Sequence, residues 1–334
     1  MKKAIIILSI FSLLFISVLS YLFFDLFRYA KIPATTDQRE KVFLVHPGQD
    51  FKTTSSRLYK IGVINNLVKF RLLGRIKGYD KRIKAGEYLL FSSMSPNEIL
   101  EKMVNGKVRL YKLTIPEGYN IRQIAFIVAQ AGLVTEEFFL EAATDSSMVH
   151  EMGIDANSFE GYLFPDTYFF PKGVTSKKII AAMLNRFWSI FTQEWKKQAQ
   201  ILGFSIHQVL TLASIIEKET GDHSERPIIS SVFHNRLKKR MRLDSDPTVI
   251  YGIKDFDGNI TRKHLSTPTP YNTYRIKGLP PGPIASPGFK SIEAALYPAD
   301  THFLFFVSKK DTTHEFSTNI KDHNRAVRKY QLRR

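Results

Sequence analysis

The chain has 334 residues, with 48 Lys and Arg against 31 Asp and Glu, a formal net charge of +17 and no cysteine. A hydrophobic share of 44% supports buried cores and argues against wholesale disorder, and the length leaves room for about two domains. The missing cysteines exclude disulfides, thiolate metal sites and a Cys nucleophile, while the positive charge points to a polyanionic partner without fixing its kind.

Lys2 and Lys3 precede a 21-residue apolar run from Ala4 to Phe24. At about 1.5 Å per residue it spans about 30 Å, the thickness of a bilayer's hydrocarbon core. The run ends in Tyr21-Leu-Phe-Phe-Asp-Leu-Phe27 without a small-x-small cleavage site. Residues 1–31 are therefore predicted to be a cytoplasmic tip and a retained transmembrane anchor rather than a cleaved signal. Lys2 and Lys3 favour an inside N-terminus on the cytoplasmic (inner) membrane, which puts the rest of the chain on the extracytoplasmic, periplasmic side. A nucleic-acid partner fits that location poorly; anionic lipid and acidic wall polymer fit better.

Residues 32–41 are polar and read as a linker. Val42 to Gly48 reads as a strand closed by a turn, Phe51 to Ile61 as a helix stopped by Gly62, and Leu67 to Leu73 as a second helix. Gly86 to Phe91 reads as a returning strand, and Pro96 to Val104 as a helix capped by Ser95. The pattern recurs 70 residues later: Ile115-Pro-Glu-Gly118 matches Val45-His-Pro-Gly48, Ile121–Gln130 matches Phe51–Lys60, and Gly132 matches Gly62. The strand, Gly turn and helix of the first copy resemble the LysM-like modules that bind N-acetylglucosamine-containing chains. Residues 42–110 are assigned to such a module, and residues 111–334 to a second, catalytic domain.

In the second domain a basic helix is predicted over Ser176–Leu202, with Phe187, Trp188, Ile190 and Phe191 as its apolar stripe. Further helices are predicted over Ser205–Thr220 and Glu225–Lys239. Beyond Arg240 the chain is rich in Pro, Gly, Thr and Tyr and reads as structured loops. A short helix over Ser291–Leu296, a strand over Phe303–Val307 and a basic helix over Ile320–Leu332 complete the chain, ending in a tail with Arg333 and Arg334. The fold class is α+β: one transmembrane helix, a small α/β module and a mixed catalytic domain.

The helix around Glu217 has two readings by itself: Glu217-Lys218-Glu219 as an ordinary solvated helix terminus, or Glu217 as an acid beside an apolar stripe. Leu210 and Ala213 lie seven and four residues before it and line up beneath it. This predicts a carboxyl in an apolar niche, where desolvation favours the protonated form of a general acid. Glu219, rotated by about 200° at 3.6 residues per turn, is predicted to face solvent. No His-Glu-x-x-His occurs among the nine histidines, and no Gly-x-Ser-x-Gly, Ser-x-x-Lys, Walker or dinucleotide loop occurs, so neither a zinc enzyme nor a serine hydrolase is indicated.

Six segments stand in order: Glu160-Gly-Tyr-Leu-Phe-Pro-Asp-Thr-Tyr168, Leu212-Ala-Ser-Ile-Ile-Glu-Lys-Glu-Thr220, Ser231-Val-Phe-His-Asn-Arg-Leu237, Met241-Arg-Leu-Asp-Ser-Asp-Pro-Thr-Val-Ile-Tyr251, Pro270-Tyr-Asn-Thr-Tyr274 and Gly278-Leu-Pro-Pro-Gly-Pro-Ile284. Together they closely resemble the endolytic murein transglycosylases, the YceG-like family. His234 and Asp244 depart from the family pattern, where an aliphatic residue and Gln are common.

The resemblance implies a lytic transglycosylase that cuts the MurNAc–GlcNAc bond within peptidoglycan strands and leaves 1,6-anhydro ends, with no metal or organic cofactor. It places the catalytic glutamate on Glu217, acting first as acid and then as base. It also implies action on nascent strands near the membrane, close to penicillin-binding synthases. Residue types suited to a glycan groove are Tyr162, Asp166, Tyr168, Asn235, Asp246, Thr248, Tyr251, Tyr271, Asn272 and Tyr274. Two other readings stand beside it. A water-using hydrolase would need a second carboxylate, with Asp166 or Asp246 as candidates. A non-enzymatic wall-binding scaffold would not need Glu217.

Overall fold

The computed structural model describes residues 2–254 and 256–332. The chain forms two compact units, one of residues 1–111 with 171–173 and one of residues 112–170 with 174–334.

The first unit begins with a single long helix, α1 (Lys2–Lys31). Strand β1 (Glu40–Val45), helices α2 (Phe51–Lys60) and α3 (Leu67–Ile76), strand β2 (Gly86–Phe91) and helix α4 (Pro96–Val104) follow. β1 and β2 pair antiparallel in a register running from Glu40↔Phe91 to Val45↔Gly86. Alternation sets the faces of β1: Phe43 and Val45 are buried while Val42 and Leu44 face out. Each helix start is capped by its own sequence. Asp50 accepts from the Thr53 amide, Asn66 from the Lys69 amide, and Ser95 forms a reciprocal box with Glu98.

The core of this unit gathers Phe43, Leu58, Phe70, Tyr88, Leu90, Ile99 and Met103, and the end of α1 joins it through Leu26, Tyr29 and Ala30. Tyr29 donates to the Asn66 carbonyl at 2.9 Å, and Lys69 pairs with Asp25 at 2.6 Å. The predicted linker runs back along the sheet, with the Thr35 amide bonded to the Ser92 carbonyl at 3.1 Å.

The second unit opens after strand β3 (Leu110–Thr114) with helices α5 (Ile121–Gln130), α6 (Glu136–Thr144) and α7 (Ser146–Glu151), then strand β4 (Thr167–Pro171). Strands β3 and β4 pair. The long basic helix predicted over 176–202 is two helices, α8 (Ser176–Ile190) and α9 (Gln193–Ile201). Phe191 is buried against Phe187 and Trp195, and the Thr192 hydroxyl accepts from the Trp195 amide, which starts a new helix where the stripe alone read as continuous.

Helix α10 (Ile206–Glu219) is the centre of the unit. It packs against α9, α11 (Arg226–Lys238), α12 (Asp246–Tyr251) and α14 (Phe289–Leu296). Helix α13 (Arg262–Ser266) lies in the loop-rich stretch, where the sequence indicated only loops. Strands β5 (Phe305–Ser308) and β6 (His314–Ser317) form an antiparallel hairpin, whose second strand had no signal beyond its length of four residues. Helix α15 (Ile320–Val327) ends in a π-helical turn at Arg328–Leu332. Arg333 and Arg334, part of the basic tail, lie outside the described residues.

Candidate active site

Every residue of α10 from Val209 to Ile216 is buried, not only one stripe. Its two polar members are satisfied within the fold. Thr211 donates to the His207 carbonyl at 2.7 Å, and Ser214 donates to the Thr211 carbonyl at 2.8 Å while accepting from the Ile284 amide at 3.0 Å. That last bond ties the Gly278–Ile284 loop to the helix, and His207 Nε2 lies 2.9 Å from the Pro281 carbonyl on the same loop. At Gly161 (φ +82°) a side chain would meet Pro283 at 2.5 Å, so the Glu160 motif closes on that loop through a backbone only glycine provides.

Glu217 stands near the C-terminal end of α10, where the helix dipole disfavours an anion. Two donors offset this. Arg226 Nη2 bonds Glu217 Oε1 at 2.8 Å, and the Gly288 amide, at the start of α14, bonds Oε2 at 2.9 Å. Both side chains of the pair are buried, at 3% and 6% exposure. The apolar niche predicted for Glu217 is therefore a polar one: Leu210 and Ala213 support the helix, but the carboxylate points to Arg226 and a backbone amide. Helical spacing reports what lies beneath a residue on its own helix and is blind to what another element brings to its tip.

The turn after β3 brings a second carboxylate. Glu117 Oε2 lies 3.8 Å from the same Arg226 Nη2 that holds Glu217. Burial, with the negative charge of Glu217 beside it, pushes the Glu117 carboxyl above its ordinary range. Its side chain keeps 44% of its surface, so Glu117 is the outer and Glu217 the inner member of the pair. Glycines make the approach possible. A side chain on Gly288 would fall 1.9 Å from Glu117 Oε1, and one on Gly118 (φ +74°) would lie 3.5 Å from Glu217 Cγ. The turn is locked by Gly118 N bonding the Ser286 carbonyl at 2.9 Å and Ser286 N bonding the Tyr119 carbonyl at 2.8 Å. Arg226 Nε and Nη1 are buried with no hydrogen-bond partner among the described residues.

Glu219 does not face solvent as predicted. Ser245 donates to its carboxylate, and burial pushes it up to about 7. Because α10 is enclosed on all sides, the face opposite Glu217 also packs, here against the loop leading to α12.

The other predicted glycan-groove residues are distributed over three places. Some are engaged by the fold itself. Tyr162 is buried with its hydroxyl 3.1 Å from His207 Nδ1. Tyr168 donates to the Phe164 carbonyl at 2.6 Å. Asn235 donates to the carbonyls of Thr301 and Phe303 at 2.8 and 3.0 Å. Asn272 closes the α13 loop through three carbonyls, the shortest being Thr267 at 2.7 Å. Thr248 donates to the Ser245 carbonyl at 2.7 Å. Asp166 is paired with Arg186 at 2.6 Å.

The rings of Tyr251 and Tyr271 meet tilted at 57°, 4.8 Å between centroids, and Tyr251 donates to buried Glu160 at 2.9 Å. Glu160 and Tyr271 line a polar cavity of about 310 Å³ with His207 and Asp155. Burial pushes Glu160 up to about 7. Asp246 accepts from Tyr274 at 2.8 Å, and both line a second cavity of about 460 Å³ with Glu219, Arg236 and Asp244. Among the described residues, the polar partners bonded to Glu217 are Arg226 and Gly288, so none of the ten hydrogen-bonds to it. Of the two departures from the family pattern, His234 bonds the Ala295 carbonyl at 2.9 Å, and Asp244 pairs with Arg236 at 3.1 Å.

Sequence reasoning missed Glu117, Arg226 and Gly288. One signal was present: at the position where the first copy of the repeat has Pro47, the second has Glu117.

The YceG-like family model matches residues 43–329. The chain belongs to the YceG-like family. It is 33% identical over 315 residues to the endolytic murein transglycosylase of Bacillus subtilis (strain 168), covering 89% of this chain and 87% of that protein. It is 29% identical to the endolytic murein transglycosylase of Streptococcus pneumoniae (strain ATCC BAA-255 / R6), covering 89% of this chain but 59% of that longer protein. A yceG-like protein of Listeria monocytogenes with a known crystal structure is 34% identical, with a TM-score of 0.60 over 86% of this chain and 98% of that one. The Glu217 cluster thus sits in a family whose relatives are named for cutting murein.

Proposed function

We propose that this YceG-like chain is an endolytic murein transglycosylase, cleaving peptidoglycan strands internally, with Glu217 as the catalytic carboxylate and Glu117 as its proton-sharing partner. The observation that carries the residue assignment is the convergence of two carboxylates on one buried guanidinium nitrogen, Arg226 Nη2, at 2.8 and 3.8 Å. Two carboxylates that meet at one guanidinium nitrogen repel each other, which favours a proton on one of them. Burial and the neighbouring charge of Glu217 raise the Glu117 carboxyl, which eases its protonation.

In the first half of the reaction the pair delivers this proton to the glycosidic oxygen, and the bond from that oxygen to the anomeric carbon of MurNAc breaks. In the second half the pair, now fully ionised, takes the proton of the MurNAc 6-hydroxyl as that oxygen bonds to the anomeric carbon. A 1,6-anhydro end forms, the pair regains its proton, and no water is consumed. Arg226 holds the two negative charges in place through the step in which both are present. No metal or organic cofactor takes part.

The remaining assignments rest on position in the sequence. Among the described residues, the helix Ile5–Lys31 near the N-terminus is long and apolar enough to span a membrane. Lys2 and Lys3 before it support an inside N-terminus, with the catalytic unit on the extracytoplasmic side acting on nascent strands beside wall synthases. The β–α–α–β order of residues 40–91 supports reading that unit as LysM-like.

Mass spectrometry of muropeptides released by the purified chain tests the assignment. Wild type yields 1,6-anhydro ends, and Glu217→Gln loses at least about 10³-fold of the rate while still binding strands. Reducing ends in place of anhydro ends would establish a hydrolase, and full activity in Glu217→Gln would remove Glu217 from the chemistry.

A further inference from the structure

Helix α3 carries an apolar face that its own unit leaves uncovered. Val68, Leu72 and Ile76, spaced four residues apart on one stripe, are 75%, 47% and 59% exposed. The opposite stripe, Phe70 and Leu73, is in the core. A soluble surface helix seldom presents three aliphatic residues in a row on its outer side.

What lies beside this face is the end of α1. The two helices are fixed to each other by the Lys69–Asp25 ion pair at 2.6 Å and by the bond from Tyr29 to the Asn66 carbonyl at 2.9 Å. Between them runs a groove of about 740 Å³ bounded by Leu19, Leu22, Phe23, Phe27, Leu72 and Ile76. Leu19 to Phe23 belong to the apolar run that ends at Phe24, so Leu72 and Ile76 stand at the depth of its last turns. At that depth the surrounding solvent is lipid, not water. Exposed Arg28 lies just beyond the apolar run on α1, where cationic groups meet anionic headgroups.

We propose that the outer face of α3 is seated in the outer leaflet of the membrane, with acyl chains filling the groove between α3 and α1. The first unit is then held to the bilayer by two apolar elements rather than tethered by one, which fixes its tilt as well as its distance from the surface. The inference rests on α1 being a membrane anchor.

The absence of cysteine makes the test direct. Single cysteines at Leu72, Ile76 and, in the anchor, Phe15 are labelled with an environment-sensitive fluorophore in the full-length chain. The proteins are placed in nanodiscs of phosphatidylethanolamine and phosphatidylglycerol, with or without bromine on the acyl chains. Brominated lipid is expected to quench all three labels at least about two-fold. Quenching at position 15 but not at 72 and 76 overturns the seating of α3 and leaves the anchor standing. Quenching at none of the three overturns both. A signal at 72 and 76 that ignores bromine but grows with the number of chains per disc assigns the face to a second copy instead, and also overturns the proposal.

Discussion

The turn at Val45–Gly48 and the turn at Ile115–Gly118 share a left-handed glycine, with Gly48 and Gly118 both at φ +74°. Each leads into a helix of ten residues capped by the side chain before it, Asp50 or Asn120. Their surroundings differ. Nothing approaches the Cβ position of Gly48 within 4 Å, whereas Gly118 is packed against Glu217 and Lys218. The first turn is a solvent-facing corner; the second holds a carboxylate against a buried arginine. Local sequence can build the same corner twice, and what packs on it decides whether it has chemistry to do.

The strongest way to break this comparison is to remove the carboxylate that the second turn carries and the first lacks. Glu117→Gln is expected to slow cleavage by about 10²- to 10⁴-fold, the usual range for losing a general acid–base group. Its pH–rate profile should lose the limb set by the raised carboxyl, and unchanged kinetics across pH would remove Glu117 from the mechanism.

Gly288→Ala reaches the same group from the other side. The added methyl would lie 1.9 Å from Glu117 Oε1, the far end of a flexible side chain, so the carboxyl shifts and the fold survives. Gly288→Ala is expected to slow cleavage to about the level of Glu117→Gln, and the double variant no further, as for residues that act as a unit. Additive losses in the double variant would contradict the shared role.

Alanine at Gly48 and at Gly118 sharpens the contrast. Both positions require a left-handed backbone, so each substitution should cost about 1–2 kcal/mol in urea unfolding. Only Gly118→Ala should also lower the cleavage rate, because only there does the turn hold part of the proposed site.

The smallest effect on cleavage concerns Glu160, a buried acid outside the cluster that acts on stability alone. Its carboxyl is raised from 4.5 to about 7 in the folded chain. The stability this represents is present in full below about pH 4.5 and is lost as pH rises through about 7, up to about 3 kcal/mol. Glu219, raised similarly but keeping part of its surface exposed, adds less. Urea midpoints should therefore fall between pH 5 and pH 8, and Glu160→Gln should flatten that fall without abolishing cleavage. An unchanged slope would place the titrating group elsewhere.

Much of the architecture is local and was legible in the chain. The strand at Gly86–Phe91 and the helix at Pro96–Val104 match their sequence boundaries residue for residue. Ser95 with Glu98 and Ser205 with Gln208 set helix starts through groups within three residues of each other. Interactions of that range need no tertiary context. The break at Phe191–Thr192 escaped because an apolar stripe continues through it, and only the packing of Phe191 favours the turn. The hairpin strand His314–Ser317 is too short to show a period.

By itself the sequence determined the membrane-length helix, the repeated strand–turn–helix corner, the family and the position of Glu217. These depend on composition, on spacing within a few turns, or on motifs that survive as strings. Tertiary structure alone decided that Glu217 faces a guanidinium rather than hydrocarbon, that Glu219 packs against Ser245, and that Glu117 brings a second carboxylate to Arg226. Those outcomes depend on residues 71 and 100 positions from Glu217 meeting at one point. Chain folding sets such distances through the closure of loops and the burial of α10, and no periodicity along the chain records them.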